Sequence, residues 1–87
     1  MKVKTISRYD NPYNLIYDYK PGFLNGMTED AKEELRCACD FESIAYYVVN
    51  DSVVLTVDTV TGDVLGEDTL IEFASESVAW ACEQNSE

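Results

Sequence analysis

Polar and apolar residues alternate over Lys2-Val3-Lys4-Thr5-Ile6, the pattern of a strand with one buried face. After the Asp10-Asn11-Pro12 turn signal, Tyr13, Leu15, Tyr17 and Tyr19 recur at every second position. That spacing predicts a second strand with these four side chains on one face, ended by Pro21-Gly22. Thr28 is suited to cap a helix over about 29–39. Glu29 and Asp30 fall in its first turn, where the helix dipole favours anions, and Ala31, Leu35 and Ala38 recur at core spacing, with Lys32 and Arg36 on one flank.

Two β-rich runs, 44–49 and 53–58, flank Asn50-Asp51-Ser52 and predict a hairpin. Thr61-Gly62-Asp63 marks another turn, and Val64-Leu65-Gly66 a short strand completing a meander. Thr69 and Glu72 have the spacing of a capping box, and Leu70, Phe73, Ala74, Ser77, Val78 and Ala81 follow as a stripe with helical period, so a helix is expected to run to about Glu83. On its other side Glu72, Glu76, Ala79 and Glu83 fall within about 60° of one another, an acidic ridge.

The order ββαβββα predicts an α+β fold: a small two-layer sandwich in which two helices pack on one face of an antiparallel sheet of four to five strands. Residues 1–87 are read as a single acidic domain, with 84–87 frayed. In the central hairpin both parities are apolar, Ile44, Tyr46 and Val48 on one side and Ala45, Tyr47 and Val49 on the other. A sheet covered on one side alone alternates more cleanly, so either the N-terminal segment covers the second face or that face is an interface.

Composition narrows the function. Eighty-seven residues make one domain with a modest core, which disfavours a deep catalytic pocket. A hydrophobic fraction of 46% separates the chain from disordered sequences despite its charge. Six Lys and Arg against seventeen Asp and Glu give a net charge of −11, which repels nucleic acid and anionic lipid and makes basic surfaces the natural partners. The charge is segregated. Residues 1–36 hold all six cations and six acids, whereas residues 37–87 hold eleven acids and no cation. A coat that serves only solubility gains from interspersed signs, which this arrangement lacks. No apolar run of signal length follows Lys4, so the chain is expected in a cytoplasm.

Chemistry-bearing motifs are few. With no His, Ser-His, Cys-His and His-containing metal arrangements are excluded, and the four glycines form no phosphate-binding loop. Cys37, Cys39 and Cys82 are odd in number and lack zinc-site spacing, and are read as small apolar core residues. Asp58 and Asp63 are the first candidates for a catalytic carboxylate pair or a calcium loop, but among seventeen acids such spacing arises by chance, and a polar hairpin turn accounts for it. No enzyme activity, cofactor or metal is expected.

What remains is a binding surface. Carboxylates a helical turn apart can satisfy Arg and Lys that normally meet phosphates. The expected contact set is Asp58, Asp63, Glu67, Asp68, Glu72, Glu76 and Glu83, flanked by Tyr13, Tyr17 and Tyr19, the residue type that anchors interfaces at low entropic cost. Trp80 falls beside the apolar stripe and is expected to pack on its edge. The expected function is a non-catalytic inhibitor that docks on the basic nucleic-acid-binding surface of a protein, such as a nuclease. In size and charge the chain resembles the small acidic DNA mimics that phages deploy against restriction and CRISPR nucleases, and also bacterial immunity proteins that block nuclease toxins. No motif carries the resemblance and no residue roles follow from it. The alternative from another class is a structural module that self-associates, as a homodimer, through its sheet face or edge, with the charge serving solubility.

Overall fold

The computed structural model describes residues 6–38 and 42–84. Strand β1 (Ile6–Tyr9) is followed by helix α1 (Pro12–Tyr19), a 3₁₀ turn (Pro21–Leu24) and helix α2 (Glu29–Cys37). Strands β2 (Ile44–Val49), β3 (Val53–Asp58) and β4 (Val64–Thr69) come next, and helix α3 (Leu70–Gln84) closes the chain. The fold is α+β, with a four-stranded antiparallel sheet in the order β1-β2-β3-β4. The first strand continues past the alternating segment to Tyr9, and positions 2–5 of that segment lie outside the described residues.

The expected strand over 13–19 is instead a helix. Asn11, in extended backbone, accepts a hydrogen bond from the Asn14 amide at 2.9 Å, and Pro12 occupies the first turn, where its missing N–H costs nothing. Adjacent Leu15 and Ile16 are both fully buried, which a strand covered on one face does not permit. Three helices therefore cover one face of the sheet where two were expected.

Capping also sets the ends of the other helices. Thr28 Oγ1 accepts from the Ala31 amide at 3.1 Å, with Glu29 and Asp30 in the first turn of α2. At the junction of β4 and α3 the capping box forms in full: Thr69 Oγ1 accepts from the Glu72 amide at 3.1 Å, and Glu72 Oε1 accepts from the Thr69 amide at 3.0 Å. Asn50 and Asp51 turn the β2-β3 hairpin with φ of 53° and 57°, and the Ser52 amide closes it on the Val49 carbonyl at 3.2 Å. The register pairs Val49 with Val53, so the loop is Asn50-Asp51-Ser52, and positive φ at its first two residues turns the chain between the strands.

The core lies between the helices and the inner sheet face. Leu15 and Ile16 of α1, Leu24, Leu35 of α2 and Leu70, Phe73, Ala74 and Ala81 of α3 close over Val48 and Val54. Tyr9 and Tyr46 pack against this cluster from the sheet, so the inner face carries residues of their parity: Ser7 and Tyr9, Tyr46 and Val48, Val54 and Thr56. Tyr9 donates to Asp18 Oδ2 at 2.6 Å, and Tyr19 meets Tyr9 edge-on and donates to Ser7 Oγ at 3.3 Å, which ties α1 to β1. The opposite parity forms the outer face, whose β2 and β3 side chains, apart from fully buried Ala45, are half-buried and stand outside the core cluster that the helices close.

Two of the three cysteines, expected in the core, lie outside it. Cys37 and Cys82 are both exposed, Cys37 donating its thiol hydrogen to Glu33 Oε2 at 3.2 Å, and Cys39 lies outside the described residues. The α3 position that the core takes is Ala81, fully buried beside Cys82. No described helix is long and apolar enough to cross a membrane.

Candidate functional site

The acids beyond residue 36 find no cationic partner within the described structure. The ion pairs among the described residues are Arg8 with Asp10 at 3.3 Å, Lys32 with Glu29 at 3.3 Å and Arg36 with Glu33 at 2.9 Å, all in the N-terminal part. The Arg36 and Cys37 hydrogen bonds hold the Glu33 carboxyl below its ordinary value, the thiol's bond contributing most. Among the described residues, the negative excess of the second part is therefore not neutralised by Lys or Arg.

One place concentrates it. Between the inner sheet face and α3 lies an open cleft of roughly 350 Å³. Its sheet side is Tyr46, Thr56 and Asp68, its α3 side is Phe73, Glu76, Ser77 and Trp80, and Pro12, Ala38 and Glu42 complete it. Tyr46 and Phe73 meet edge-on, with ring centroids 5.0 Å apart, and make an aromatic floor. Trp80 remains 41% exposed at the rim. Glu42 and Glu76 are exposed and Asp68 half-buried, and no Lys or Arg lines the cleft among the described residues. Three carboxylates around an aromatic wall is the arrangement that accepts a cationic side chain with an apolar stem.

The expected contact residues are distributed over different surfaces. Glu76 and Asp68 come together in the cleft, and Glu72 and Glu83 continue the exposed ridge along α3. Glu72 has a prior engagement, since its carboxylate caps the helix. Strand β4 runs on to Thr69, beyond the three residues expected of it, so its acids alternate: Asp68 pairs with inner-face Val54, whereas Glu67 pairs with Leu55 on the outer face, away from the cleft.

Asp58 is consumed by its turn. Its Oδ1 accepts from the amides of Val60 at 2.8 Å and Thr61 at 3.1 Å, and the Gly62 amide returns to its carbonyl at 2.7 Å. Gly62 adopts φ of 81°, open to glycine at little cost, and exposed Asp63 donates its amide to Thr61 Oγ1 at 3.2 Å. These bonds are those of a side-chain-closed turn.

The tyrosines also separate, because a helix carries them. Tyr13 and Tyr17, four residues apart, stack with ring centroids 6.1 Å apart, and the Arg36 guanidinium lies 4.3 Å from the Tyr13 ring centre. Tyr19 lies two residues on and packs toward β1. Of the three, Tyr17 is the exposed one, at 60%. Glu42, Tyr46 and Phe73 were not among the expected contacts. The spacing of four between Glu76 and Trp80 was a legible sign that both lie on one flank of α3.

Fold and site thus define a two-layer α+β protein with an acidic, aromatic-floored cleft. Comparison of the chain with protein-family models, curated proteins and solved structures finds no match.

Proposed function

We propose that this protein is a non-catalytic inhibitor that docks on a basic, nucleic-acid-binding surface of another protein and excludes DNA or RNA from it. The observation that carries the reading is the cleft, where Glu42, Asp68 and Glu76 surround Tyr46, Phe73 and Trp80 with no cation among the lining residues. An arginine of the partner would lay its guanidinium against Trp80 and present its N–H fork to Asp68 or Glu76. Glu83 along the ridge would meet further cations that ordinarily hold phosphates. Charge complementarity speeds such an encounter, and the buried contact in the cleft slows release. Phage counter-defence against a restriction or CRISPR nuclease and immunity to a nuclease toxin are the settings that match this chemistry.

The test is a panel of defined pairs: a restriction endonuclease with its duplex, a guide-loaded nuclease with its target, and a nuclease toxin with its substrate. The expected result is that the protein displaces nucleic acid from one of them, with affinity falling roughly tenfold or more between about 50 and 200 mM salt. Glu76→Lys combined with Asp68→Asn should abolish displacement while the circular dichroism spectrum is unchanged. Failure to displace nucleic acid from any pair at about 100 μM, some 5 kcal/mol of affinity, overturns the proposal, as does full inhibition by the double variant.

A further inference from the structure

We propose that the outer sheet face binds a second copy of this chain, giving a two-fold dimer in which two sheets stack face to face with their helices outward. The strand register fixes what this face presents. Opposite the core-facing parity stand Ile6 of β1, Ala45, Tyr47 and Val49 of β2, and Val53, Leu55 and Val57 of β3. Ala45 is fully buried, but the larger side chains of β2 and β3 here are only half-buried, and Ile6 and Val64 at the two edges are 56% and 58% exposed. A contiguous apolar surface of this kind marks an interaction site.

A second copy is the occupant because of where the charges stand. Within the strand register this face carries two charged residues, Arg8 and Glu67, and they end one cross-strand row, Arg8–Tyr47–Leu55–Glu67. A two-fold axis lying between the sheets and parallel to the strands exchanges the β1 and β4 edges and keeps each row in place. Arg8 of each copy then meets Glu67 of the other, and Tyr47 lies over Leu55. An isologous contact requires this self-complementarity. Arg8 is already held by Asp10 at 3.3 Å, but both side chains are more than half exposed, so exchanging that partner costs little. The α3 ridge and the cleft point away from the contact, which keeps most of the acids of the two copies apart.

The size sets the strength. Four strands about 4.8 Å apart and about 20 Å long present roughly 400 Å² of projected face per copy. That is the low end for a specific interface, so the dimer is expected to be weak, with a dissociation constant of about 10–500 μM.

Sedimentation equilibrium on the full chain tests this, with charge exchange as the diagnostic. Arg8→Glu alone and Glu67→Arg alone should each weaken dimerisation about tenfold or more, and the double exchange should restore it to within about threefold of the wild type. Restoration within one chain is excluded, because the two positions stand three strand spacings, about 14 Å, apart. A chain that stays monomeric to about 1 mM, or a double exchange no better than the singles, overturns the proposal. Neither result bears on the cleft, since Arg8 and Glu67 lie on the other side of the sheet. Salt distinguishes the two surfaces again: a largely apolar dimer survives about 0.5 M salt, whereas docking through the acidic cleft does not.

Discussion

The capping box at the start of α3 offers the sharpest test of how the acids divide between structure and binding. Thr69→Ala removes the acceptor of the Glu72 amide, and N-cap losses of this type cost about 1 kcal/mol. In a domain of this length about 1 kcal/mol lowers the melting temperature by roughly 4–8 °C. Glu72→Ala removes the acceptor of the Thr69 amide together with a negative charge in the first turn, worth about 0.5–1 kcal/mol. Both bonds hold the same turn, so losing either frays it and weakens the other. The double variant should therefore fall short of the summed single losses by about 0.5 kcal/mol or more. Urea titration and thermal melts followed by circular dichroism measure all three, and an unchanged urea slope confirms that stability alone has moved. Strictly additive losses, or a Thr69→Ala shift below about 2 °C, would refute the argument. In the displacement assay, Glu72→Ala should cost less affinity than Glu76→Ala, because the Glu72 carboxylate is already committed to the helix end.

Further variants probe the remaining layers of the fold. Leu35→Ala opens a cavity at a fully buried position of α2 and should cost about 2–5 kcal/mol, read from urea midpoints. Asp51→Gly relieves a positive φ borne by a residue with a Cβ in the β2-β3 loop and should stabilise by a few tenths to about 1 kcal/mol in the same assay. Burial and, next, the hydrogen bond and charge of Asp18 raise the Tyr9 phenol well above its ordinary value of about 10. A raised folded value means stability that is fully present below pH of about 10 and lost above it, so Tyr9→Phe should flatten the alkaline limb of the stability profile, and an unchanged limb would count against this.

Local bond chemistry was legible in the sequence. Thr28 with its two acids, the Thr69/Glu72 box and the two β-rich runs around Asn50-Asp51 each satisfy a specific backbone requirement, and each element formed where its signal stands. The reading of 13–19 failed because tyrosine at every second position imitates a strand, while the same seven residues also carry a helical stripe, Leu15, Ile16 and Tyr19 following Pro12. Asn11-Pro12 decides between them, acting as cap and first helical residue where the dipeptide alone signals a turn. Cys37 and Cys82 depart from the expected burial for a different reason. Their general tendency toward burial says nothing about which residue of the Ala81-Cys82 pair a helix turns inward. The cleft was the least legible feature, because Glu42, Asp68 and Glu76 sit on three separate segments and meet only through strand pairing and the path of α3.

Strand β4 shows why net charge alone does not locate a candidate binding surface. Glu67 and Asp68 are adjacent and chemically alike, yet a strand sends neighbouring side chains to opposite faces, so one belongs to the cleft side and the other to the outer edge. The proposed dimer gives this split a consequence. Stacking the outer faces buries Glu67 against the Arg8 of the other copy and leaves two acidic clefts directed away from each other. A partner with a single basic groove would then be held at one cleft with unchanged affinity. A partner presenting that groove in two copies would be held at both, and tethering of this kind gains without any new contact. Glu67→Arg separates the cases: it should leave the first interaction intact and lower apparent affinity for the second at concentrations where the wild type is dimeric. Equal loss for both partners would place Glu67 in the docking surface itself and refute the division of β4 between two faces.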